Sequence, residues 1–213
     1  MTARRAPRGL RVPPAVMRLG VRQLGRRCLD PALPWAVQRT RLDQLTKTSL
    51  LPRGTTVVKQ VIGGVPAEVV SAGAASSQTT VIHFHGGGYC VGSANTPRSW
   101  AAHLSARTGC RVVLPEYRLA PEHPHPAALE DARAVLKALS GEVAPGSVVI
   151  SGDSAGGGLA LALVLLLREE GRELPAGARG TVVGVRHDKR AFEVECTHPF
   201  ACLVTVPAES LSH

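Results

Sequence analysis

Downstream of Thr55, short apolar runs alternate with longer segments of helical periodicity. Thr56 to Ile62 and Val65 to Val70 are rich in β-favouring residues and are separated only by Gly63-Gly64, which predicts a hairpin. Thr79 to Phe84 (TTVIHF), Arg111 to Leu114 and Ser147 to Ser151 (SVVIS) read as brief strands buried on both faces. Residues 98–107, Ala127 to Leu139 and Ala155 to Glu170 carry helical spacing, the second entered through the proline-rich turn Pro121 to Pro126. Short strands alternating with longer helices predict an α/β fold, a mostly parallel sheet with helices on both faces. In such sheets chemistry sits at the carboxyl ends of the strands.

Upstream, residues 10–50 show a helical pattern interrupted by Pro13-Pro14, Pro31 and Pro34, which predicts short helices forming a cap. Leu10, Val16 and Trp35 are expected to face the mouth of the pocket. The chain therefore divides into a helical cap (1–54), an α/β core (55–178) and an atypical tail (179–213).

Charge sharpens that division. Residues 1–41 hold ten arginines and one acid, Asp30, which accounts for the whole net charge of +9; the remainder is balanced at fifteen of each sign. A basic arm of this kind binds nucleic acid or anionic lipid by counterion release. No nucleic-acid motif accompanies it, so a solvated arginine-rich face is expected, with peripheral membrane contact as its one external role. The five cysteines are widely spaced without CxxC pairs, which fits free thiols in a reducing compartment. No run reaches the ~20 apolar residues that span a bilayer, and the N-terminus lacks an apolar signal region. A cytoplasmic location is expected. Hydrophobic content of 44% excludes a disordered or fibrous chain.

Two loops at strand ends carry candidate chemistry. Gly152-Asp153-Ser154-Ala155-Gly156 is a GxSxG placed directly after SVVIS and directly before a helix. A serine lifted out of a sheet on a sharp strand-to-helix turn needs small residues on either side. The turn also aims the helix N-terminus at a developing oxyanion. His85-Gly86-Gly87-Gly88 follows TTVIHF at once, and successive glycines let backbone amides converge on one spot. Alone, each is as readily a plain glycine turn; together, on one sheet, they make a nucleophile and its oxyanion donors. A third stretch, Glu116 to Pro124 running on to Asp131, reads as a stiff loop entering a helix, in which Arg118 and Glu122 are expected to pair.

HGGG, YRLAPEHPHPAALED and GDSAGGGLA, in this order and spacing, resemble the hormone-sensitive-lipase-like family of α/β-hydrolases over roughly residues 55–178. The resemblance implies the α/β-hydrolase fold and a carboxylic ester hydrolase acting on small-molecule esters, without cofactor or metal. It implies an acyl-enzyme on Ser154 and an oxyanion hole built from Gly87, Gly88 and Ala155, with Gly86 shaping the turn. Asp153 and the YRLAPE loop would be scaffold, and short or medium acyl chains would be preferred. The alternative is a non-catalytic truncated fragment or a module that binds acyl compounds.

The tail departs from the family. Family members supply an acid in a DPLxD-like context and a histidine in an HxF-like loop, and neither appears in the 59 residues after Ser154. Beyond Gly177 the text changes, and residues 181–213 hold two of three phenylalanines and three of eight histidines. The expectation is a truncated or replaced C-terminus, poorly ordered from about residue 180 and without an assembled triad. His187-Asp188 and His198 are the rival candidates. Neighbours on a strand point to opposite faces, so His187 and Asp188 do not make a base with its orienting acid.

Overall fold

Gly63 and Gly64 close the hairpin because both take positive φ, 61° and 85°, as the tight turn between twisted strands requires. In the computed structural model β1 (Thr55–Ile62) pairs antiparallel with β2 (Val65–Ala72) from end to end. The structure describes residue 25, residues 28–73, 77–142 and 148–170, and the backbone of three later strands; side chains from residue 171 onward, and Leu10 and Val16, lie outside it. The other elements are α1 (Trp35–Lys47), β3 (Thr80–Phe84), α2 (Arg98–Thr108), β4 (Arg111–Pro115), α3 (Ala127–Glu142), β5 (Val148–Gly152) and α4 (Ala155–Glu169).

The core strands lie in the order β1-β2-β4-β3-β5. β3 runs parallel to both β4 and β5, whereas β2 meets β4 antiparallel. The expected mostly parallel sheet is thus corrected to a mixed one. A two-residue link can join only antiparallel neighbours, while the helical crossovers through α2 and α3 deliver parallel ones. Parallel pairing holds where it matters, at β4-β3-β5, whose carboxyl ends carry the candidate loops.

Alternation along these strands sorts side chains between two apolar layers. Val69, Ile82, Val113 and Ile150 join α3 and α4 residues such as Val135, Leu139, Leu159 and Leu163 on one face. Val70, Val81, Val112 and Leu114 pack with Ala101 and Ala102 of α2 on the other. Phe84, Ile82 and Leu163 are fully buried, each contributing about 1.5–3 kcal/mol of transfer free energy. Between β2 and α2, Arg98 Nε and Nη2 grip the buried Glu68 carboxylate at 2.6 and 2.7 Å. A buried charge persists only when paired this closely.

Beyond residue 178 the described backbone forms β6 (Arg179–Val185), β7 (Ala191–His198) and β8 (Cys202–Pro207), an antiparallel meander. β8 meets β5 in parallel through the single pair Gly152↔Cys202. The cause is a period-two pattern, as in Phe192-Glu193-Val194-Glu195-Cys196, that a reading of composition alone passes over. His198 ends β7 opposite Arg179. His187, Asp188 and His213 lie outside the described residues. No described helix is long and apolar enough to cross a membrane.

Candidate active site

β5 ends at Gly152 and α4 begins at Ala155, so Asp153 and Ser154 alone make the turn. Ser154 takes φ 51° and ψ −120°, a conformation costing an L residue about 1–3 kcal/mol. Its surroundings over-determine it. Asp153 N–H donates to Phe84 O (3.3 Å), Gly156 N–H to Asp153 O (2.8 Å) and Gly158 N–H to Ser154 O (3.1 Å). A Cβ on Gly156 would lie 2.0 Å from Phe84 O, and one on Gly152 would lie 2.2 Å from Gly156 O. Only glycine at both positions allows the helix to start against the end of β3. Ser154 is exposed, and no described side chain hydrogen-bonds to its hydroxyl.

That packing brings the elbow beside the loop after β3. Gly87 (φ 126°), Gly88 (φ 60°) and Tyr89 (φ 63°) turn the chain back, and Cys90 N–H and Val91 N–H both donate to Gly87 O. The Gly86 amide is committed to Asp153 Oδ1 at 3.0 Å. By contrast, the amides of Gly87, Gly88 and Ala155 donate to no described residue. Unpaired amides on a helix N-terminus and an adjacent positive-φ turn form a ready acceptor for negative charge.

A relay with a buried imidazole and hydroxyl and an exposed carboxylate holds the two loops together. Parallel register sets His83 of β3 beside Ser151 of β5, and His83 Nδ1 lies 2.7 Å from Ser151 Oγ. His83 Nε2 faces Asp153 Oδ1 at 3.3 Å, and the Trp100 ring covers His83 with centroids 4.2 Å apart. With Nε2 protonated toward the carboxylate, Nδ1 accepts from the Ser151 hydroxyl. Partial burial pushes the Asp153 carboxyl up, but the hydrogen bond and charge of His83, then the Gly86 amide and His85, outweigh it and hold it below the usual carboxylate range. A carboxyl depressed by folding stabilises above its unfolded pKa and loses that contribution as pH falls through its folded value. The anchor on Gly86 therefore survives into acid.

His85 faces the other way. Burial lowers its pKa. Tyr117 stacks on it at 4.3 Å and donates its hydroxyl to His85 O at 2.6 Å. Burial pushes the Tyr117 phenol up, so it remains a donor.

Asp153→Ala is expected to lower stability by ~1–3 kcal/mol, because the buried Gly86 amide loses its acceptor. At ~2–4 °C per kcal/mol for a chain of this size, thermal melting should show a fall of roughly 3–10 °C. Asp153→Asn keeps an oxygen at that place and should lose less than half as much.

A sequence profile described as alpha/beta hydrolase fold matches residues 81–193, which include the His85–Gly88 loop and the elbow. This chain belongs to that family, in its hormone-sensitive-lipase-like branch. LipR of Mycobacterium tuberculosis is 40% identical over 165 residues, 77% of this chain and 53% of that protein. An esterase of Acinetobacter venetianus is 40% identical over 142 residues, 65% of this chain and 46% of that one. The crystal structure of an esterase from the bacterial hormone-sensitive lipase family superposes with a TM-score of 0.68 at 34% identity, covering 78% of this chain and 56% of that one. The chain spans about half the length of the relatives it matches.

Within this α/β-hydrolase, Gly86 bonds to Asp153, the residue before Ser154, Gly87 and Gly88 continue that turn, and Ala155 begins α4 directly after Ser154. Arg118 and Glu122 do not pair: Arg118 turns to Asp131 and Glu130 at the start of α3, while Glu122 is taken by Arg39 of α1. The Gly86–Asp153–His83–Ser151 relay and the reach of Arg39 join residues far apart in the sequence. The only sequence signal for the relay is the matched position of His83 and Ser151 near the ends of two adjacent parallel strands.

Proposed function

We propose that this site hydrolyses carboxylic esters of small molecules through an acyl-enzyme on Ser154. One observation carries the reading: a strained, exposed serine stands at a helix N-terminus, joined through the Asp153–Gly86 bond to a turn whose Gly87 and Gly88 amides donate to no described residue. Ser154 Oγ attacks the ester carbonyl carbon, forming the O–C bond while the carbonyl electron pair moves onto oxygen. The amides of Gly87, Gly88 and Ala155 donate to that oxyanion, at roughly 3–4 kcal/mol for each well-placed donor. Collapse expels the alcohol, which carries away the proton that Ser154 gave up. Water then releases the carboxylic acid. Gly86 shapes the loop, its own amide being held by Asp153.

The proton needs a carrier. None of the described histidines hydrogen-bonds to Ser154: His83 is held by Ser151 and Asp153, and His85 by Gly86 O. Among the described residues the base and its acid are therefore not found.

We place the enzyme in the cytoplasm, with residues 1–54 as its cap and with no cofactor. α1 supports the cap assignment, since it rests on the loops at the carboxyl ends of β3 and β4 through Arg39, Asp43 and Thr46. The test is hydrolysis of p-nitrophenyl acetate by this chain beside Ser154→Ala. Turnover above the variant is expected; ester binding with identical rates for the two would favour a non-catalytic binding module instead.

A further inference from the structure

Arg39 reaches from the second turn of α1 into both loops that surround the elbow. Its Nε donates to Cys90 O at 2.8 Å and its Nη2 to Ala120 O at 2.8 Å. Nη1 and Nη2 also grip the two oxygens of Glu122, at 3.0 and 2.7 Å. Cys90 belongs to the turn closed on Gly87 O, and Ala120 N–H donates to Tyr89 O at 2.8 Å. One guanidinium thus completes a ring of hydrogen bonds running through residues 87–90, residue 120 and α1. The remaining anchors of this segment lie elsewhere: Asp43 on Ser93, Asn95 on Asp43 O and Thr46, and Ser99 on Leu50 O. Arg39 meets the turn carrying Gly87 and Gly88 through Cys90 O.

We infer that Arg39 is a positioning residue for the oxyanion loop, so that docking of the cap and placement of the Gly87 and Gly88 amides are one event. The chemistry favours arginine. Three acceptor groups lie around it, and a planar fork with five donors satisfies them together, whereas an ammonium on a flexible stem cannot hold that geometry. Bonds from an ionised donor are also about twice as strong as neutral ones. Glu122 balances the charge and leaves the two carbonyl bonds to set the loop. This inference rests on the ester-hydrolase reading for its catalytic consequence but not for its structural one.

The test compares Arg39→Met, Arg39→Lys and Glu122→Gln in the full chain. Hydrogen exchange is read on peptides covering residues 84–92 and 116–123, and kcat and KM are read with a p-nitrophenyl ester. Arg39→Met should speed exchange in both peptides by at least about tenfold, as expected when charge-assisted bonds are lost. It should lower kcat about tenfold with KM within about twofold, since the amides act mainly on the transition state. Arg39→Lys should fall between, and Glu122→Gln should stay within about twofold of the parent in both readouts. Exchange in 84–92 unchanged by Arg39→Met, or matched by Glu122→Gln, overturns the inference. If the parent chain shows no Ser154-dependent turnover, the ester reading fails, while exchange alone still decides whether Arg39 holds the loop.

Discussion

Where a histidine base serves Ser154, Ser154→Ala is expected to lower p-nitrophenyl ester turnover at least about 10³-fold; with no base in place the two rates should converge, since losing either member alone costs nearly the whole triad. The magnitude follows from what is removed. Without Oγ no acyl-enzyme forms, and only ester binding and the three amides remain, which by themselves give a residual rate far below that of a nucleophile-bearing site. Stability should barely move. The side chain is exposed and makes no hydrogen bond with a described side chain, and alanine meets the same backbone strain at φ 51° as serine does. A surface change of this kind stays within about 0.5 kcal/mol, or roughly 1–2 °C in melting temperature. A large loss of turnover without loss of fold separates a chemical role for the hydroxyl from a structural one.

Gly156→Ala is expected to have the largest effect on stability, about 3 kcal/mol or more. The new Cβ would stand 2.0 Å from Phe84 O and 2.6 Å from His85 O, both backbone atoms. Neither can swing aside as a side-chain tip would. The start of α4 must then lift from the end of β3, which also strips Asp153 from Phe84 O and Gly86. Overpacking a rigid contact costs ~1–3 kcal/mol even where side chains can yield, and native domains have only ~5–15 kcal/mol in all. Thermal melting should show a fall of roughly 6–12 °C or more. Gly141 of α3 is the control. A Cβ there meets nothing within 4 Å, so Gly141→Ala should be neutral or stabilise by up to ~1 kcal/mol. Equal losses at the two glycines would contradict the steric account of the elbow.

Local pattern made most of the core legible before any coordinates. Runs such as TTVIHF and SVVIS became β3 and β5, and the Gly63-Gly64 hairpin formed as read, because strand length, helical spacing and paired glycines act over a few residues. The elbow was legible in part for the same reason, since Gly152 packs on Gly156 within the motif, whereas Gly156 itself packs on Phe84 O at the end of β3. What escaped the sequence is long-range. Arg39 meets partners 51 to 83 residues away, and the Asp153–Gly86 bond spans 67. Nothing in the neighbourhood of either residue announces the other. Arg118 shows the opposite error, since proximity to Glu122 in sequence suggested a pair that the entry into α3 replaced with Asp131. In the tail the composition shifts while the alternation of Ala191 to His198 persists, and it is the alternation that β7 follows.

The claim at the centre of this account is that Ser154 is the nucleophile, and its most direct test is covalent. An activated phosphate triester, diethyl p-nitrophenyl phosphate, lets the serine oxygen attack phosphorus, expel p-nitrophenolate and keep the diethylphosphoryl group. Intact-mass spectrometry followed by peptide mapping should find one such group per chain, on the peptide that carries Gly152 to Gly156, and none on Ser154→Ala. A folded chain that stays unmodified at Ser154, or takes the group on another residue, would contradict the account.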